Sequence, residues 1–281
     1  MGVRINTNIE ALNAQRNLGA TSVMFGKSVE KLSSGLRINR AADDAAGLGI
    51  SEKLRGQVRG LNQAMRNGQD GISLIQTGEG ALNEVHSMLQ RMRELAVQAA
   101  NGTLSQADRD SIGVEADALK AEINRISVAT KFNGVALLDG TTASITLQVG
   151  ANATDTMSVT LSQVDVATLD SASAIANFSS ATAGSVTAAY ATAAITQIDV
   201  ALTTVSTARG KYGAAQNRLE HTIASLGVAA ENLASSESRI RDLDVAAEMV
   251  NFTKTQILQQ AGTAILAQAN SAPQSVLSLL R

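Results

Sequence analysis

The chain has 281 residues, 44% of them apolar but only 2% aromatic, with no Trp, no Cys, one Pro, and 23 Lys plus Arg against 25 Asp plus Glu. The lack of cysteine excludes disulfides, thiolate metal sites and thiol nucleophiles, and the balanced charge gives no electrostatic reason to expect nucleic acid as a partner. A core built from Leu, Ile, Val and Ala without aromatic bulk points to helix packed on helix: a mainly α fold of long antiparallel helices in a coiled-coil-like bundle.

The N-terminal stretch carries Ile5, Ile9, Leu12, Leu18, Phe25, Val29, Leu32 and Leu36 as an intermittent helical stripe. Its basic residues Arg4, Arg16, Lys27, Lys31, Arg37 and Arg40 raise a membrane-surface reading. The stripe is thin and lacks Trp, and no apolar run reaches the ~18 residues of a membrane span, so membrane insertion is not expected. The N-terminus also lacks the continuous apolar core of a secretory signal. From Ser33 to Ser51 the sequence SSGLRINRAADDAAGLGIS reads as a glycine-rich joint leading into a helix, with Asp43 or Asp44 near its N-terminus. No His or third carboxylate stands nearby to complete a metal or catalytic pair.

From Leu54 a heptad pattern runs through Val58, Leu61, Met65, Ile72, Ile75, Leu82, Val85, Leu89, Met92, Ala96 and Ala99, with a phase slip around Gly78 to Gly80. This predicts a long helix ending at Asn101-Gly102. Ser105 or Asp108 is placed to cap a shorter helix with the seam Ile112, Ala116, Leu119, Ile123 and Ile126. Past Phe132-Asn133-Gly134 the period falls to two: Ile145, Leu147 and Val149, a turn at Gly150-Ala151-Asn152, then Met157, Val159 and Leu161. This is a β-hairpin. Ser162 to Thr192, rich in Ala, Ser and Thr, reads as a surface-exposed connector.

The last third, from Ile195 to Leu280, is written as one helical seam with a small phase change near Leu243 and a single interruption at Pro273. An unbroken helix of that extent would be roughly 115 Å long. The chain can supply only some of the partner helices such a stripe needs, so apolar surface is left for other copies of itself.

Candidate chemistry is sparse. His86 and His221 stand on different helices with no zinc-protease pattern, and no phosphate-binding loop is present. No catalytic residue, metal ligand or cofactor is expected. Arg91, Arg93 and Glu94 form a charged patch whose plain reading is a solvated face with local ion pairs. Asn-x-Ser/Thr triplets at Asn101, Asn152, Asn177 and Asn251 have no meaning outside a glycosylating pathway.

The stretches SSGLRINRAADDAAGLGIS and NFTKTQILQQAGTAILAQANSAPQSVLSLLR, together with QRMRELAVQAANGT and KFNGVALLDG, closely resemble the ends of bacterial flagellins, filament subunits of the flagellum. The resemblance covers about residues 1–140 and 190–281. It implies an inner terminal-helix domain from 1–42 and 241–281, a helical core domain from 43–140 and 191–240, and a hairpin with connector at 141–190, without the large outer domains of longer relatives. It further implies a secreted, extracellular subunit that self-assembles into a helical homopolymer after export unfolded, with an export chaperone on the C-terminal segment and the export apparatus and filament cap as partners. Leu32, Leu36, Ile257 and Ile265 are the expected assembly contacts. Arg91 and Leu95, with Glu115, match the pattern recognised by Toll-like receptor 5. A hook-filament junction subunit, or another secreted axial protein with similar ends, is the competing reading.

Overall fold

A computed structural model describes residues 7–170, 173–179 and 186–279, with 272–279 as helical backbone. Arg4, Ile5 and Leu280 of the sequence patterns lie outside the described residues, as do 171–172 and 180–185 of the connector. The elements in chain order are α1 (Ile9–Ser34), α2 (Ala45–Ala99), α3 (Gln106–Ala129), β1 (Lys131–Phe132), β2 (Val135–Ala136), β3 (Ser144–Gln148), β4 (Thr156–Thr160), α4 (Val166–Leu169), α5 (Ala174–Phe178), α6 (Ala188–Arg241) and α7 (Val245–Leu279). The chain is mainly α, with two small antiparallel hairpins. It divides into two compact units, 1–58 with 231–281, and 59–230. These unit limits fall inside α2 and α6, whereas the limits expected at 42 and 241 lie at the helix breaks.

In the unit formed by the chain ends, Asn8 caps α1 by accepting from the Ala11 N–H, and Gly35 closes it in the left-handed conformation at φ 70°. The Asp43 carboxylate accepts the backbone N–H groups of Arg40 and Asn39, and those bonds hold it below the ordinary carboxylate range. Asp44 then caps α2, accepting from Gly47 N–H at 2.8 Å. The helix therefore starts at Ala45, well before the Leu54 from which its heptads are legible, and the slip at Gly78 to Gly80 does not break it. The single helix expected from Ile195 onward is interrupted, and the break lies at Asp242–Asp244, not at Pro273, through which α7 continues. Asp242 leaves the helix to join Leu36 in an antiparallel bridge, and Asp244 accepts from the Ala247 N–H and starts a new helix.

The second unit has the larger apolar core. Ile75, Leu82, Val85, Leu89, Met92, Leu95 and Ala99 of α2 pack with Ile112, Ala116 and Ile123 of α3 and with Ala194, Ile198, Val205, Tyr212 and Leu219 of α6. Ser105 caps α3 in a reciprocal box with Asp108, and these bonds keep the Asp108 carboxyl below its usual range. A two-residue turn with positive φ at both Asn133 (47°) and Gly134 (82°) folds β1 onto β2, as Asn-Gly favours. In the second hairpin Ile145 pairs with Val159 and Leu147 with Met157, and all four side chains join the core.

Among its described residues the connector is largely packed inward rather than surface-exposed. Val164, Val166, Leu169, Ile175, Phe178 and Val186 are buried in the core. Val164 N–H donates to Leu138 C=O, Val166 N–H donates to Asn124, and Asp165 caps α4. The apolar residues in this stretch are spaced by short irregular turns rather than by one period, so their burial leaves no periodic trace.

Candidate functional site

The terminal helices pair closely, and each carries apolar residues on two faces. Facing α7, α1 places Ala11, Ala14, Leu18, Thr21, Phe25, Ser28 and Leu32, all at least partly buried. From α7 come Phe252, Thr255, Gln259, Gly262, Leu266 and Ala269. Phe25 stacks on Phe252 with ring centroids 5.1 Å apart, and Asn8 donates to Ala269 C=O at 2.6 Å. Thr255 is buried because its hydroxyl is satisfied by the carbonyls of Asn251 and Phe252 in its own helix. The opposite face of α7 presents Val250, Ile257 and Ala264 to solvent, and Ala261 and Ile265 stand at its edge beside α1, with Val250 69%, Ile257 59% and Ile265 60% exposed. On α1, Ile9, Leu12, Val23 and Met24 are likewise exposed.

Of the expected assembly contacts, Ile257 and Ile265 share this outward face. Leu32 lies on the inner face of α1 and Leu36 in the bridge to Asp242, both half-buried. The sequence places Val250 in the same seam as Ile257 and Ile265 but not among the expected assembly contacts, because a seam counted in heptads does not say which of its members the chain itself covers.

In the other unit, Arg91 donates to Glu115 on α3 and to Glu94 on its own helix at 2.9–3.0 Å. Arg93 pairs with Asp199 on α6 at 2.7 Å. The charged patch thus ties α2 to both neighbours, where only local pairs were expected. Both Arg91 and Glu115 remain half-open to solvent. Leu95 does not: it is 1% exposed and packs in the core beneath the ion pair. His86 is half-buried beside Gln90, and His221 is exposed on α6. Among the described residues no group of His, Asp and Glu is arranged to hold a metal ion, and no helix is long and apolar enough to cross a membrane.

The model of the bacterial flagellin N-terminal helical region matches residues 5–143, and that of the C-terminal helical region matches 195–280. The chain belongs to the bacterial flagellin family. It is 54% identical to a flagellin of Halalkalibacterium halodurans over 99% of both chains. Against a flagellin of Bacillus subtilis the identity is 51%, over 99% of this chain and 100% of that one. The stretch 144–194, outside both family models, is thus spanned in the full-length relatives. A solved protein from Vibrio parahaemolyticus, described as flagellar hook-associated, shares the fold at TM-score 0.56 and 18% identity, covering 72% of this chain and 98% of that one. As a flagellin this chain is a structural filament protein and not an enzyme, and only residues 144–194 lie between its two matched helical regions. The filament such proteins build is extracellular.

Proposed function

We propose that this flagellin is exported unfolded and polymerises at the distal end of the growing filament, where the outward faces of α1 and α7 become buried against neighbouring subunits. The observation that carries the reading is the two-sided apolar character of the terminal helix pair: Val250, Ile257 and Ile265 remain exposed after α1 and α7 have packed. Burying an isoleucine is worth about 1.5–3 kcal/mol, opposed by about 1–2 kcal/mol per residue for ordering backbone. Neither helix gains enough alone, so ordering is coupled to assembly, and filament growth should show a critical concentration. Contacts between unlike surfaces that do not close into a ring extend as a helical polymer. The same exposed stripe is what an export chaperone would have to cover before secretion, and the filament cap would retain subunits while they fold.

The test is seeded regrowth after acid depolymerisation, followed by electron microscopy, with the full chain beside a version lacking 1–40 and 241–281. Filaments from the first and monomers from the second are expected. If both stay monomeric on seeds, self-assembly is withdrawn and a junction subunit, present in few copies in sheared surface protein, becomes the better account.

Recognition of the monomer by Toll-like receptor 5 forms part of the proposal. It rests on the exposed Arg91–Glu115 pair, with Leu95 supporting α2 from below rather than offering contact. Arg91→Ala with Glu115→Ala should abolish receptor signalling at unchanged folding, and undiminished signalling would remove the assignment.

A further inference from the structure

Both helix breaks in the terminal unit lie beside one another and are tied across. Leu36 bridges Asp242, Arg37 N–H donates to Arg241 C=O at 2.7 Å, and Leu243 N–H donates to Gly35 C=O at 3.0 Å. The Arg37 guanidinium adds two bonds to Ile240 C=O, at 2.6 and 3.1 Å, and Arg241 reaches back to Glu52 at 2.6 Å. Beneath the clasp Ile38 is fully buried. Gly47 packs so closely on Ile38 and Asp44 that a Cβ there would overlap them.

The helices that run outward from this clasp specify their own register poorly. The facing surfaces set Leu18, Phe25 and Leu32 of α1 and Phe252 and Leu266 of α7 among Ala, Ser, Thr, Gln and Gly. Beyond the Phe25–Phe252 stack a cleft lined by Leu18 and Thr21 of α1 and by Leu258, Ala261, Gly262 and Ile265 of α7 remains open between them. Leu18 lies over Gly262, and a one-turn slide would set it against Leu258 or Leu266, apolar side chains that can also receive it. Large interlocking side chains, or a single buried polar pair, are what usually define register between helices, and here the interlock is limited to the Phe25–Phe252 stack and the Leu18–Gly262 contact, with no side-chain-to-side-chain hydrogen bond between α1 and α7 among the described residues. Yet Phe25 and Phe252, Leu18 and Gly262, and Asn8 and Ala269 all stand at nearly matching chain distances from the Leu36–Asp242 bridge.

We propose that the clasp of Gly35–Arg37 with Ile240–Leu243 is a register pin: it sets which residues of α1 oppose which residues of α7, and so aligns the outward faces of the pair for a second copy of the chain. Arg37 and Arg241 are its positioning residues. The assignment of those outward faces to assembly rests on the function proposed above, but the pin itself is a property of one chain.

The absence of native cysteine permits a clean disulfide test. An ideal Cβ at Gly262 lies 3.8 Å from the Leu18 Cβ, the separation found in disulfides. Leu18→Cys/Gly262→Cys therefore reports the observed register, and Leu18→Cys/Leu266→Cys reports a slide of one turn. Each pair is placed in the full chain with the clasp intact and with Arg37→Ala plus Arg241→Ala, oxidised both free and in sedimented filaments, and scored by peptide mass spectrometry. Helix content by circular dichroism confirms folding. With the clasp intact the in-register pair should form well in excess of the slid pair; the double substitution leaves the two backbone bonds but removes the guanidinium bonds, and should narrow that ratio by about tenfold, the scale of one charge-assisted hydrogen bond. A preference that survives the double substitution undiminished, or that is absent from the intact chain, overturns the pin. Sedimentation of the cysteine-free parent judges polymerisation separately, so either idea can fail alone.

Discussion

Leu95 and Arg91 stand one helical turn apart and are opposites in kind. Leu95→Ala removes a side chain from a closed core and should cost about 2–5 kcal/mol, read as a fall in the denaturation midpoint of the monomer. Arg91→Ala breaks only exposed ion pairs and should shift stability by less than about 1 kcal/mol. Receptor data on the leucine variant alone would therefore confound recognition with folding, and the arginine and Glu115 variants separate them. The carboxylates of Asp43 and Asp108 are both held below their ordinary range, by backbone N–H bonds from Arg40 and Asn39 and by the Ser105 hydroxyl and N–H respectively. A carboxyl depressed in the fold stabilises it above its unfolded pKa, and that contribution fades as the pH falls through the folded value. Acid should thus loosen the turn before α2 and the cap of α3. Amide exchange at Asn39, Arg40 and Ser105 should rise below about pH 4, and the acid response at Asn39 and Arg40 should flatten in Asp43→Asn.

Helix α7 is where element-scale reasoning matters most, because one face serves the chain and the opposite face is free. A charge at Ile257 should leave the monomer's helix content unchanged and halt filament growth, whereas Phe252→Ala should loosen the α1 pair and lower helix content itself. Normal filaments from Ile257→Glu, seen by electron microscopy, would contradict the role given to the free face. At the β1–β2 turn, Gly134→Val forces a branched side chain into positive φ and should cost roughly 1–2 kcal/mol; an unchanged melting temperature would show that the hairpin adds nothing to the unit. These elements differ in how openly the sequence displays them. The α2, α3 and α6 seams and the β3–β4 alternation are regular periods and were legible. The Asn133-Gly134 turn carried a recognisable signal that reading by period alone passed over. Phe178 and Val186 were illegible as core because no period links them, and the break at Asp242–Asp244 showed only as a phase change, since its cause is a bridge to Leu36 more than two hundred positions earlier in the chain.

At the scale of the molecule, the candidate site was legible only by half. A stripe too long for the chain to cover announces that something else must cover it, and Ile257 and Ile265 follow from that. Whether Leu32 and Leu36 are free or already used depends on how the two chain ends meet, which only the folded pair displays. The prediction that belongs here is cooperative: the truncation lacking both ends should keep the core of the second unit, with its melting behaviour intact, while losing every trace of seeded growth. Simultaneous loss of both properties would mean that the terminal segments stabilise the fold itself rather than the filament.

Beyond Lys254 the sequence of α7 carries no charged residue before Arg281. A filament that depends on this helix is held there by the exclusion of water and not by ion pairs, so its temperature response should invert the familiar one. Apolar association weakens on cooling and strengthens in sulfate, while ordinary salt changes it little. The critical concentration for growth should rise toward the freezing point, and a cell swimming in cold water would carry its most easily shed filament.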